Sequence, residues 1–93
     1  MIVTILEGKL SRDKIPLLRK KYNEILQNRP PAIVNTYLLK DTKDQNIFKI
    51  ITVWKSKEDL EVMRKQGTPA GVLLFREAGV EPALNIYEVI GRS

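Results

Sequence analysis

Apolar residues along this chain change their spacing several times, and each change marks an element. Residues 2 to 7 carry Ile2, Val3, Ile5 and Leu6 with β-branched neighbours and stop at Gly8, which predicts a first strand. The next segment switches to helical spacing. Ile15, Leu18, Tyr22, Ile25 and Leu26 fall at i, i+3, i+7, i+10 and i+11 and so line one face of a helix. Pro16 limits where that helix can start, because a missing N–H is harmless only in the first turn. Asp13 is the expected N-cap, with Pro16 at the third helical position, and Asn28-Arg29-Pro30-Pro31 forces an extended exit.

Residues 33 to 40 and 47 to 54 are rich in β-branched and aromatic side chains and flank the polar stretch 41 to 46, a hairpin pattern. With Lys40 opposite Ile47, the expected register sets Leu39, Tyr37, Asn35 and Ile33 across from Phe48, Ile50, Thr52 and Trp54 on one face. Both faces are then substantially apolar, unlike a sheet with one wet face, so each needs a cover. Ser56-Lys57-Glu58-Asp59 is a capping-box pattern that opens a second helix, with Leu60 and Met63 as its stripe, Val62 beside them and Gly67 at its end. Thr68-Pro69 opens a third, short helix through Leu73, Leu74 and Phe75, closed by Gly79, and after Pro82 the residues 83 to 90 read as a last strand.

The order β-α-β-β-α-(α)-β predicts one α+β domain over residues 1 to 93: a ferredoxin-like βαββαβ fold. Right-handed crossovers put its helices on one face of a four-stranded antiparallel sheet. The other face, with aliphatic residues from every strand, is too large an apolar patch for a comfortable monomer. A homodimer packed sheet to sheet, forming a dimeric α+β barrel, is the simplest cover; a monomer with a wet outer face is the alternative.

Composition narrows the functions open to such a domain. The chain has 43% hydrophobic and 29% charged residues, as ordinary globular proteins do, and no apolar run nears the ~18 residues of a membrane span. Met1-Ile2-Val3-Thr4-Ile5-Leu6 has neither the basic start nor the length of a signal peptide, so a cytoplasmic location and no membrane partner are expected. The net charge of +5 is moderate, and its one dense basic run, Arg19-Lys20-Lys21, falls on a helix whose other face is apolar. That is a solvated face rather than a nucleic-acid footprint. An RNA-binding sheet is further disfavoured because residues 47 to 54 lack a glycine-rich aromatic signature and the first strand has no stacking aromatic. There is no cysteine, which removes thiolate metal sites and disulfides, and no histidine, which removes the commonest base, metal ligand and haem ligand.

Val53-Trp54-Lys55-Ser56-Lys57-Glu58-Asp59-Leu60 is a strand ending in tryptophan that runs into a capped helix. With the Phe75 helix and the closing strand around Tyr87, it resembles the antibiotic biosynthesis monooxygenase-like family of the dimeric α+β barrel superfamily. The resemblance spans nearly the whole chain. It implies a homodimer with a pocket in each subunit between sheet and helices. It also implies relatives among cofactor-independent monooxygenases and quinol oxidases of aromatic substrates, haem-degrading enzymes, and members without assigned activity. The haem-degrading branch relies on a histidine after the third strand and a tryptophan in the second helix. The chain has no histidine, and the tryptophan's place falls near Met63.

A cofactor-independent monooxygenase, which needs no bound cofactor or metal, draws electrons for oxygen from a deprotonated substrate. Its site must bind an electron-rich ring, relay a proton and stabilise an anion. In the expected register Asn35 and Tyr37 are the candidate catalytic residues, Asn35 orienting a substrate oxygen and Tyr37 donating to it. Trp54 would stack on the ring beside Thr52, with Tyr22 and Arg76 as further substrate-binding candidates. Each has a purely structural role open to it: Trp54 and Tyr22 in the core, Asn35 paired with Thr52, Arg76 on a solvated helix face. No strong base is evident. A homodimer that binds a small ligand without turnover therefore stands beside the oxygenase reading.

Overall fold

The first strand continues through the glycine expected to end it. β1 (Ile2–Lys9) leads by a 3-10 turn at Arg12–Lys14 into α1 (Ile15–Gln27), followed by β2 (Ile33–Lys40), β3 (Ile47–Trp54), α2 (Lys57–Lys65), α3 (Ala70–Glu77) and β4 (Ala83–Glu88). The structure, a computed structural model, describes residues 1–92. The four strands make one antiparallel sheet in the order β2-β3-β1-β4, the ferredoxin-like α+β arrangement, with α3 added before the last strand.

Gly8 is a packing position rather than a stop. A Cβ there would lie 2.7 Å from Phe75 Cδ1 and 3.1 Å from Val80 Cγ1, so the glycine lets α3 lay its fully buried Phe75 on β1. α3 ends in a Schellman motif: Gly79, at φ +83°, donates its N–H to the Arg76 carbonyl, and Val80 donates to that of Phe75. The cap of α2 is as expected, with the Asp59 N–H donating to Ser56 Oγ at 3.1 Å. The start of α1 is not: Lys14 occupies the N-cap without a side-chain bond, while Asp13 lies within the preceding 3-10 turn. Pro16 still falls in the first turn, where it costs no hydrogen bond.

The hairpin register differs by one residue from the expected one. Lys40 pairs with Phe48, Leu38 with Ile50, Thr36 with Thr52 and Asn35 with Val53, and an irregularity at Val34 restores Ile33 to Trp54. The connection explains the offset. Asp41 Oδ1 accepts the N–H groups of Lys43 at 2.7 Å and Asp44 at 2.9 Å, a tight Asx-type turn. The Asp41 N–H then donates to the Ile47 carbonyl at 2.9 Å, so Asp41, not Lys40, stands opposite Ile47.

All three helices cover one face. Leu18 and Tyr22 of α1 and Leu74 and Phe75 of α3 pack on Leu6, Phe48 and Ile50, while Leu60 of α2 packs on Ile2 and Trp54. The uncovered face carries cross-strand rows read from the pairing: Asn35-Val53-Val3-Tyr87, then Tyr37-Ile51-Ile5-Asn85. A third row ends the apolar stretch, where Lys49 Nζ meets Glu7 Oε1 at 3.1 Å. Tyr37 and Tyr87 are 54% and 52% exposed on this face, which is the apolar outer surface the sequence pattern implies.

Candidate functional site

Three threonines occupy matching positions on three adjacent strands. Thr36 of β2 pairs with Thr52 of β3, which pairs with Thr4 of β1, and Ile86 of β4 completes the row on the helix-covered face. α1, α2 and α3 do not close over this row. They leave a cavity of about 480 Å³ whose floor is the threonine row and whose walls include Leu6, Ile25, Ile33, Leu60, Met63 and Leu84. Leu84 and Ile86 are 43% and 44% exposed although they point to the helix side, because the cavity stands above them.

The polar groups of the floor are hydroxyls and an indole N–H, bonded to one another in two separate sets. Tyr22, reaching down from α1, donates its hydroxyl to Thr36 Oγ1 at 3.3 Å, and Thr36 Oγ1 lies 3.4 Å from Thr52 Oγ1. Trp54 donates its indole N–H to Thr4 Oγ1 at 3.0 Å. Thr4 and Thr52 are buried, and no buried side-chain polar atom lacks a partner among the described residues. The charged lining residues are Lys21, Glu24, Arg29, Arg64 and Glu77, all on helices or just beyond them and none on the strands that form the floor. Lys21 Nζ is 3.8 Å from Glu24 and 3.7 Å from Glu77, tying α1 to α3 across the mouth. Walls of this kind suit an apolar molecule, and the hydroxyl floor can hydrogen-bond to polar atoms on it.

Of the residues singled out by sequence, Tyr22, Thr52 and Trp54 meet in this cavity. Asn35 and Tyr37 do not. The one-residue register difference turns both to the outer face, and Thr36 rather than Asn35 pairs with Thr52. Arg76 is outside the cavity as well: its guanidinium forms a bidentate pair with Glu81, Nε to Oε2 at 2.8 Å and Nη2 to Oε1 at 2.9 Å. That carboxylate raises the Arg76 pKa above its ordinary value, and the pair ties the end of α3 to the segment entering β4. Thr4 and Thr36 were missed. Thr4 was legible as the one hydroxyl in the alternating set Ile2, Thr4, Leu6, the buried face of the first strand; Thr36 depended on a register that residue pattern alone did not determine.

The haem-degrading alternative can be judged on the same residues. No histidine exists in the chain, no group of potential metal ligands occurs among the described residues, and the one tyrosine in the cavity spends its hydroxyl on Thr36. The donor set does not fit iron ligation by histidine. No helix among the described residues is long and apolar enough to cross a membrane.

Neither known protein-family models nor curated proteins give a significant sequence match. Solved structures do match. A candidate antibiotic biosynthesis monooxygenase from Deinococcus radiodurans superposes with a TM-score of 0.78 at 15% identity, covering 100% of this chain and 95% of its own. The chain has the fold of the antibiotic biosynthesis monooxygenases. A mutant of SnoaB, a cofactor-independent oxygenase from Streptomyces nogalater, matches with a TM-score of 0.73 at 12% identity over 98% of this chain and 94% of its own. A mutant of MhuD carrying two manganese protoporphyrin IX molecules per active site gives 0.73 at 16% identity over 100% and 98%. One fold thus accompanies both a cofactor-independent oxygenase and a porphyrin-binding protein.

Proposed function

We propose that this chain is a homodimeric, cytoplasmic antibiotic biosynthesis monooxygenase-like protein whose cavity binds a small aromatic or quinol-like molecule and supports cofactor-independent oxygenation of it. The observation that carries the reading is the cavity itself: about 480 Å³, apolar walls, and a floor of Thr4, Thr36, Thr52, Tyr22 and Trp54 that offers hydroxyl and indole groups but no metal ligand set. Such a reaction converts an activated CH₂ of the substrate to C=O. One oxygen atom of O₂ enters the product, the other leaves as water, and the substrate supplies all four electrons. The protein's task is to hold the ring, exclude water and donate hydrogen bonds to the oxyanion formed when the substrate loses its proton. In this reading Thr4 and Thr52 are the hydroxyls that donate, with Trp54 occupying the acceptor side of Thr4. The likeness to SnoaB supports this reading.

The homodimer is supported by the outer face, where Val3, Ile5, Ile51 and Val53 lie at the centre of two cross-strand rows with Tyr37 and Tyr87 exposed at their flanks. In this reading Asn35 and Tyr37 act at the subunit interface.

A second reading, ligand binding without turnover, is favoured by one feature: none of the five floor side chains is a carboxylate or imidazole able to take the substrate's proton. Oxygen uptake measured with a panel of quinols and hydroxyaromatic substrates separates the two. Uptake that falls at least ~10-fold in Thr4→Val and Thr52→Val, with circular dichroism unchanged, supports the oxygenase. Thermal stabilisation by the same compounds without oxygen uptake assigns the chain to the binders.

A further inference from the structure

β2 is an edge strand, with β3 on one side and no strand on the other. The Asp41 N–H donates to the Ile47 carbonyl, and bonded residues alternate along an antiparallel pair, so Leu39 and Tyr37 are the residues bonded to β3. The main-chain groups of Leu38 and Lys40 therefore point away from the sheet, and no bond from outside the sheet reaches them among the described residues. A groove of about 450 Å³ lies along this edge, between α1 and the end of the hairpin. Leu38 packs on the core beneath the helices and Leu39 stands opposite Lys49 on the outer side, yet both line the groove. Consecutive strand residues, which point to opposite faces, share one groove only where it wraps round the strand's edge. Of the groove's lining, only Tyr22 also lines the cavity under the helices, so this is a separate site.

The charge in the groove has one sign. Arg19 of α1 and Lys40 of β2 line it together with the amides of Asn23 and Gln45, and no carboxylate lines it among the described residues. Neither cation has a salt-bridge partner among the described residues, whereas Lys21, two positions from Arg19, meets both Glu24 and Glu77. Lys40 pairs with the buried Phe48, so its side chain leaves the strand on the helix side, the side on which α1 holds Arg19. A strand added to β2 sends every second side chain to that side. Carboxylates at alternate positions would meet both cations there, while the residues between them would meet Leu39 on the outer side. Pairing the same edge of two copies would instead bring cation to cation, which is how lysines on edge strands prevent self-association.

We infer that the edge of β2 takes an extended acidic segment of a partner protein as a fifth strand, its alternate carboxylates meeting Arg19 and Lys40. Fluorescence anisotropy with a labelled Val-Glu-Val-Glu-Val-Glu-Val peptide provides the test. The peptide should bind about 10-fold more tightly than its counterpart with Gln in place of Glu, and Arg19→Gln/Lys40→Gln should remove that advantage. Lys57→Gln/Lys65→Gln, which removes the same charge from α2 outside the groove, should keep it. Amide hydrogen exchange at Leu38 and Lys40 should slow when the peptide binds, and a peptide N-methylated at alternate residues should not bind. Equal affinity for the two peptides, equal losses in the two double variants, undiminished binding of the methylated peptide, or unchanged exchange at Leu38 and Lys40 overturns the inference. Absence of binding with both amides already protected in the peptide-free protein overturns it in favour of a second copy on the edge. Tighter, competing binding of single-stranded RNA overturns it in favour of nucleic acid.

Discussion

Thr36 Oγ1 lies 3.4 Å from Thr52 Oγ1 across the β2–β3 pairing, and Tyr22 donates to the same Thr36 oxygen at 3.3 Å. The contact joins a helix to the sheet through groups that would otherwise be buried without partners. Both distances are long for O–H···O bonds, so each bond belongs at the weaker end of the scale. Tyr22→Phe is expected to cost about 0.5–1.5 kcal/mol, the net worth of one such bond. If the three hydroxyls act as a unit, Tyr22→Phe and Thr36→Val combine less than additively in urea denaturation. Strict additivity would show that the contacts are geometric only.

The two close-packed glycines should respond differently to alanine. At Gly8 the new Cβ meets the ring of Phe75 at 2.7 and 2.8 Å, and Phe75 is fully buried with no room to turn. Gly8→Ala is expected to destabilise by about 1–3 kcal/mol through overpacking. At Gly71, in the first turn of α3, the new Cβ is crowded by the tip of Leu6, Cδ1 at 2.8 Å, and meets Ile50 Cδ1 at an ordinary 3.8 Å. A leucine tip can rotate away, and alanine favours a helix over glycine by ~1 kcal/mol, so Gly71→Ala should be near neutral. Thermal denaturation of the two variants side by side checks the difference; equal losses would contradict it.

Strand positions were readable from residue type to within a few residues, because β-branched runs bounded by turn residues have few alternatives. Residues 33 to 40 and 47 to 54 are the strands observed. The two-sided hydrophobicity of the sheet was equally legible, since it survives any register. The site was less so. A slip of one residue exchanges Asn35 and Tyr37 for Thr36, and the register hangs on whether the Asp41 carboxylate turns the chain one residue sooner. Arg76 was misplaced for a similar reason: its partner Glu81 is five residues away, across a helix end whose geometry depends on the left-handed Gly79. Trp54 was legible in position, at the end of the third strand, where a large aromatic with one polar atom packs its ring and finds its N–H a partner.

If the outer face is the subunit interface, a charge at its flank should separate the subunits without unfolding them. Tyr37 is 54% exposed in the single chain, so Tyr37→Lys should change monomer stability by no more than ~0.5 kcal/mol. In a sheet-to-sheet dimer the same lysine is buried against the partner's apolar face, and dissociation is expected. Light scattering at micromolar concentration should give the mass of two chains for the parent and of one for the variant. A parent that runs as a monomer would sink the barrel, and the outer face would then be a wet one.

The hairpin connection that sets the register is also where acid should act. Asp41 accepts two backbone N–H groups, and Asp44 accepts the Asn46 N–H at 3.0 Å while lying 3.2 Å from Lys9 Nζ. These backbone donors, with Lys9 assisting at Asp44, hold both carboxyls below the ordinary value of 3.8. A carboxyl whose pKa is lower folded than unfolded binds fewer protons in the folded state. Its stabilising contribution is therefore complete above pH ~4 and is lost as the pH falls through the folded-state value. Melting temperature should accordingly be flat between pH 7 and 5 where these groups are concerned, and should fall below pH ~4. In Asp41→Asn, which keeps an oxygen for the Lys43 and Asp44 N–H groups but cannot titrate, that acid-side fall should be shallower. An identical acid limb in parent and variant would show that the Asp41 turn does not respond to its own protonation and that other carboxylates set the acid limit.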